Sequence, residues 1–163
     1  MWARGYKLYT VWGGRPVPET YRVYPMNVSE NKVAEEMMPE LTHGGYLLGD
    51  GEYDAKGVFE AAGAAGYQLL APREDPHARV GHVPQSPFRL RCIDLMRSAF
   101  GRAVYRLRRS IERSYGNLCS FGGGLAPLPA WVRHQDRVWL WVTAKLLINA
   151  ERMMINEAKG LAA

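Results

Sequence analysis

The stretch that decides the fold runs from Gly45 to Ala71 and reads GYLLGDGEYDAKGVFEAAGAAGYQLLA. Tyr46–Asp50 is a short apolar run ending in an acid. Apolarity without alternation marks a strand buried on both faces. A helix is predicted from about Asp54 to Ala65, with Val58, Phe59 and Ala62 as its apolar stripe and Gly66 closing it. Tyr67–Ala71 reads as a second short buried strand. A strand, a helix and a strand in so short a span form a crossover unit, so the two strands should run parallel.

Working outward, Tyr6–Trp12 (YKLYTVW) is aromatic and β-branched with period-two character, as a strand requires. Gly13-Gly14-Arg15-Pro16 signals a turn, and Pro18–Tyr24 returns as the second strand of a hairpin. Asn27 or Ser29 can cap a helix from about Glu30 to Leu41, with Val33, Met37 and Leu41 on one face. On the other side, residues 72–91 carry four prolines and several charges, and we expect an irregular insertion there. Helical spacing resumes from Cys92 to Leu118 (Leu95, Met96, Ala99, Val104, Leu107, Ile111) and stops at a glycine cluster, Gly122–Gly124. A last helix is predicted from Trp131 to Glu157. It is so apolar (Trp139, Val142, Leu146, Ile148, Met153) that packing on two sides is expected. The whole, residues 1–163, reads as one α/β domain: a mixed sheet flanked by helices.

The 163 residues suit one domain, and 47% hydrophobic with 23% charged side chains is ordinary for a globular chain. Disorder, collagen-like repeats and low complexity are excluded, because the 17 glycines and 10 prolines have no fixed period. Two cysteines, Cys92 and Cys119, are too few for a disulfide framework and lack a Cys-x-x-Cys pattern, so buried free thiols are expected. The first residues show no apolar signal segment, and Val138–Ala144, the longest uncharged stretch near the end, is far short of a membrane span. A cytoplasmic protein with no membrane partner is the expectation.

Charge is unevenly spread. Residues 1–70 hold 6 basic and 9 acidic side chains, whereas residues 71–163 hold 15 basic, 13 of them arginine, and 7 acidic. Arginine is favoured where phosphate must be gripped by two hydrogen bonds at once. A solvated helix face would explain the run as well. A basic half beside an acidic half nonetheless favours a polyanion, nucleic acid first.

Two acids stand out. Asp50 ends an apolar strand, and ligands of open α/β sheets bind at the carboxyl ends of strands. It could hold a metal, or merely start a turn. Asp54 is expected to cap the following helix, and Glu52 to face solvent. Glu112 follows Tyr105 and Arg108 at spacings that put all three on one face of a regular helix. It could ligate a cation while its neighbours grip phosphate, or form a surface pair with Arg108 of little energetic worth. Paired carboxylates in a basic setting suit Mg²⁺-assisted phosphoryl transfer, since Mg²⁺ prefers oxygen ligands.

The segments GYLLGDGEYD (Gly45–Asp54) and YRLRRSIERSYGNL (Tyr105–Leu118) resemble the DDE transposases of bacterial insertion sequences. The likeness is closest to the branch with a Tyr-x2-Arg-x3-Glu-x6-Lys signature. GYKLYTVW near the start, YPMNVSENKVAEEM before the Asp strand and PAWVRHQDRVWLWVTAKLLINAERMM near the end agree with that family in order. The resemblance implies an RNase H-like fold, DNA transposition, and Mg²⁺ or Mn²⁺ as cofactor. Asp50 and Glu112 would be catalytic, metal-holding acids. Tyr105 and Arg108, with Arg109 and Arg113, would bind DNA phosphates of the transposon ends and target. Nucleoid association follows from DNA binding.

Two departures are visible. The signature Lys falls on Cys119. The family's first Asp, on a central strand before the GYKL-like segment, has no counterpart here, because no acid precedes Glu19. The resemblance therefore leads us to expect a truncated form lacking the first, central strand, prone to self-association or to pairing with the upstream segment. A catalytically inactive DNA-binding fragment and a different RNase H-like nuclease are the rival readings. His77 and His82 have no cysteine near them, Gly122–Gly124 lacks the Lys-Ser/Thr of a phosphate loop, and Trp139 and Trp141 read as core.

Overall fold

The computed structural model describes residues 5–75, 83–120, 124–125 and 128–161. His77, His82 and Gly122–Gly123 of the glycine cluster lie outside the described residues. Backbone contacts divide the chain into two compact units, Val28–Arg109 and a second made of Met1–Asn27 with Ser110–Ala163.

In the second unit, strands β1 (Tyr6–Val11) and β2 (Thr20–Pro25) form the expected antiparallel hairpin, with Leu8 opposite Val23. Val23 packs with Leu118 of helix α5 (Arg109–Ser120) and with Val138, Val142 and Leu146 of helix α6 (Gln135–Leu161). Aromatic side chains carry polar bonds across this core. The Tyr115 hydroxyl donates to the Leu8 carbonyl at 3.3 Å and lies 2.8 Å from the Thr10 hydroxyl. Tyr21 meets the Thr143 hydroxyl at 2.7 Å. Burial of a phenol costs little when its one proton has such a partner.

Among the described residues helix α6 packs on one side, not on two as its composition suggested. Val138, Val142, Leu146 and Ala150 are buried at helical spacing, while Trp139, Leu140, Leu147, Ile148 and Met154 are exposed. The stripe is a single face, because the hairpin and Leu118 cover only that face. Trp139 is thus not core. Its ring stacks over Tyr21 at 6.3 Å, whereas Trp141 does pack against the core.

The first unit contains the crossover. Strand β3 (Gly45–Leu48), helix α2 (Lys56–Ala64) and strand β4 (Tyr67–Leu70) follow one another, and the strands pair in parallel, Leu47 opposite Leu69. Helix α1 (Glu30–Met37), continued by a 3₁₀ turn over Met38–Glu40, and helix α3 (Pro87–Arg97) flank α2. Val33, Met37, Val58, Phe59, Ala62, Leu69 and Leu70 are the core, which is the stripe read from the sequence. Ser29 occupies the cap position of α1 without a side-chain bond.

Four expectations need correction. β3 is not buried on both faces: Gly45 and Tyr46 are exposed. β3 pairs with β4 alone among the described residues, and its apolarity came from a strand too short to show alternation. For the same reason no single mixed sheet forms among the described residues: β1–β2 and β3–β4 are separate two-stranded sheets. Residues 87–91 of the span expected to be irregular are helical, because α3 starts at Pro87, where proline's missing N–H costs a helix nothing. Finally, Cys92–Leu118 is not one helix. The chain breaks at Ser98, whose hydroxyl accepts from the Gly101 N–H at 2.9 Å and caps helix α4 (Ala99–Tyr105). The corner needs glycine, since a Cβ on Gly101 would lie 2.0 Å from the Leu95 carbonyl oxygen. A 3₁₀ turn over Arg106–Arg108 then leads into α5.

Candidate active site

β3 hands the chain to Gly49, whose N–H donates to the Leu70 carbonyl at 3.0 Å. A Cβ here would come within 2.9 Å of the Tyr53 ring, so a larger residue would force that ring to shift. Asp50 follows in extended backbone and accepts the Glu52 N–H on Oδ1 at 3.2 Å. It thereby caps a 3₁₀ turn over Gly51–Tyr53. The turn-starting alternative read for Asp50 is therefore realised. The acid also stands where a parallel pair presents its ligand-binding end, with a half-exposed carboxylate. Glu52 is exposed, as expected.

Two signature residues converge on this loop from the end of α4. The Tyr105 hydroxyl donates to the Gly49 carbonyl at 3.1 Å. Arg108 Nη2 donates to Asp50 Oδ2 at 3.3 Å. Burial pushes the Tyr105 phenol up from its ordinary value, a shift that nearby Asp50 reinforces and Arg108 opposes. It stays a neutral donor at physiological pH. Both carboxylate oxygens of Asp50 thus have a donor, one from the backbone and one from a cation.

Sequence reasoning missed a buried ion pair of this unit. Asp54 does not cap α2, whose cap position falls on Ala55. Its carboxylate instead receives Arg89 Nε at 2.7 Å and Arg89 Nη2 at 2.6 Å, both side chains being largely buried. The Glu74 N–H adds a third bond at 3.3 Å, and Gln85 Oε1 accepts from Arg89 Nη1 at 2.6 Å. The bond to Asp54 raises the Arg89 pKa further above its ordinary value, against the opposing effect of burial. One carboxylate therefore ties together the loop after β3, the segment after β4 and the start of α3. The signal lay in Arg89, one of the 13 arginines of the basic half.

The other expected site residues are placed as follows. Arg109 opens α5 and is exposed; Glu112 and Arg113, also exposed, follow on α5 in the other unit. The 3₁₀ turn modifies the one-face reading of Tyr105, Arg108 and Glu112, since it advances about 120° per residue against about 100° in an α-helix. Cys119, at the signature Lys position, is exposed, contrary to expectation. Cys92 is buried, and its thiol donates to the Ala71 carbonyl at 3.4 Å.

Among the described residues no group of three or more His, Cys, Asp or Glu side chains could hold a metal ion. Asp50 has the donor chemistry that a hard cation takes. Its donors are oxygens, they are half open to solvent, and a guanidinium already stands at one of them. Mg²⁺ keeps several waters and takes one or two carboxylates plus substrate phosphates, so a full protein cage is not required.

The sequence profile of the transposase DDE domain family matches residues 2–147. The chain belongs to that family. DDE transposases carry out DNA transposition, act on DNA and generally use divalent metals. No curated protein and no solved structure matches the chain. No helix among the described residues is long and apolar enough to cross a membrane.

Proposed function

We propose that this chain is a DDE transposase catalytic domain of the Tyr-Arg-Glu-Lys branch, built on an RNase H-like plan. It would cut a DNA strand at an element's end by water attack on a phosphodiester. It would then join the freed 3′-hydroxyl to target DNA. The observation that carries this reading is the convergence of Tyr105 and Arg108 on the Gly49–Asp50 strand end. Two residues of a signature recognised in sequence reach this strand end, more than 50 positions earlier: Arg108 at the Asp50 carboxylate and Tyr105 at the Gly49 carbonyl beside it.

In this reading Asp50 is an acid that takes Mg²⁺ or Mn²⁺, which when bound would activate the attacking oxygen and stabilise the leaving one, and Glu112 keeps the metal-holding role that the signature implies for it. Asp50 contributes anionic oxygens at a fixed strand end. Arg108, Arg109 and Arg113 supply guanidinium forks for backbone phosphates. Tyr105 fixes the helix end against the loop by its bond to Gly49. A second reading is favoured by one observation: no cluster of three or more metal-ligating side chains occurs among the described residues. On that reading the domain binds DNA without cutting it.

A nicking assay on supercoiled DNA bearing candidate element ends, with Mg²⁺ or Mn²⁺, separates the two. Cleavage that is lost in both Asp50→Asn and Glu112→Gln supports the catalytic reading. DNA binding with no cleavage supports the second. Cleavage that survives both substitutions sinks the assignment of these acids.

A further inference from the structure

The same unit contains two arginine–aspartate pairs of opposite character. Arg89 and Asp54 share two short bonds and are almost closed to water, with Asp54 only 5% exposed. Arg108 and Asp50 meet at 3.3 Å through Nη2 and Oδ2, and their side chains are 28% and 46% exposed. A desolvated fork-on-fork pair is hard to part without leaving a stranded charge. A half-solvated pair is exchangeable, since water is at hand to take over from either partner.

Arg108 is held at Asp50 while the backbone around it is held by something else. Tyr105, three residues earlier, anchors the helix end on the Gly49 carbonyl. Asp50 is likewise held by the Glu52 N–H on its other oxygen. Strand end and helix end therefore have holds of their own besides the contact between Arg108 and Asp50.

Resting on the reading of Asp50 as a metal-holding acid, we propose that Arg108 is the interchangeable counter-ion of that acid. A divalent cation and the guanidinium compete for one carboxylate. A DNA phosphate offers Arg108 a bidentate partner and draws it off, which opens Asp50 to the cation. Conversely, a cation at Asp50 repels Arg108 toward phosphate. Cation and DNA then bind with positive coupling, and linkage makes the coupling equal in both directions.

The test uses two binding measurements and no turnover. Mn²⁺ binding to DNA-free protein is followed by the electron paramagnetic resonance signal of free Mn²⁺, for wild type, Arg108→Gln and Asp50→Asn. Duplex affinity is then measured by fluorescence anisotropy with Mn²⁺ and with EDTA at matched ionic strength. We expect Arg108→Gln to bind Mn²⁺ at least threefold more tightly than wild type and Asp50→Asn to bind it more weakly. Mn²⁺ should raise the duplex affinity of wild type relative to Asp50→Asn, whose ratio records the screening of DNA by the metal alone. That excess should vanish in Arg108→Gln. If Asp50→Asn weakens Mn²⁺ binding but Arg108→Gln does not strengthen it, the coupling is refuted while Asp50 remains a ligand. If Asp50→Asn leaves Mn²⁺ binding unchanged, the metal reading of Asp50 fails, and the inference with it. A wild-type ratio no larger than that of Asp50→Asn overturns the coupling without recourse to the Arg108 variant.

Discussion

Asp54 and Asp50 stand four positions apart in one loop and have opposite fates. Both look alike in sequence, as acids beside a strand end and a helix start. What separates them is an arginine 35 residues downstream of Asp54, and no local pattern reports a partner at that distance. Burial makes the difference energetic. Removing Arg89 strands the Asp54 carboxylate, and breaking such a pair costs about 3–5 kcal/mol. Arg89→Ala should therefore lower stability by about that amount in denaturant titration, and Asp54→Ala by a similar amount. Arg108→Ala, by contrast, should cost about 1 kcal/mol or less, because its pair is half-solvated. Equal losses for Arg89→Ala and Arg108→Ala would contradict the contrast drawn between the two pairs. Phe59, wholly buried, was legible as core from its spacing alone; Phe59→Ala should cost about 3–5 kcal/mol.

At the scale of elements, the hairpin, α1, α2 and β4 were legible because each carries a period that its packing then uses. The failures share a cause. Proline-rich sequence was read as irregular, yet Ser86-Pro87 is a good helix start, and α3 begins there. The long Cys92–Leu118 run kept its apolar spacing across a corner, so periodicity could not reveal the break at Ser98. The capping bond from Gly101 to Ser98 is what holds that corner. Ser98→Ala should destabilise the chain by about 1 kcal/mol, the usual worth of such a cap. Gly101→Ala should cost considerably more, since its methyl would meet the Leu95 carbonyl. A smaller loss for Gly101→Ala than for Ser98→Ala would show that the corner can relax.

At the scale of the whole molecule, charge asymmetry and family resemblance were readable without any structure, while the division into two units was not. That division depends on which distant segments share a core, and composition is blind to it. Two predictions belong here. Arg109 and Arg113 are exposed on one helix, so if both meet phosphate, replacing both with Ala should reduce the salt slope of duplex binding by about two. A slope that does not change would remove them from the DNA interface. The second concerns alkali. Tyr105 and Tyr115, one in each unit, both have pKa values pushed up chiefly by burial. Their neutral forms favour the native state, so the stabilisation is complete below the ordinary phenol value near 10. It is lost as pH rises through the raised native values. Thermal stability should fall above about pH 10, and less steeply in Tyr105→Phe and Tyr115→Phe.

One unit is a single run of chain, and the other is assembled from the two sides of that run. During synthesis the order of emergence therefore differs from the order of packing. The β1–β2 hairpin leaves the ribosome well before the side chains that cover Val23, which belong to Leu118 and to α6, more than 90 positions later. At about 5–20 residues per second, that is a wait on the order of ten seconds. The intervening segment, with Val58 and Phe59 already flanked by their partners, can close around its own interior during that interval. Val23 of the hairpin must wait for Leu118 and α6, so this core is sealed only after the segment between them has been made.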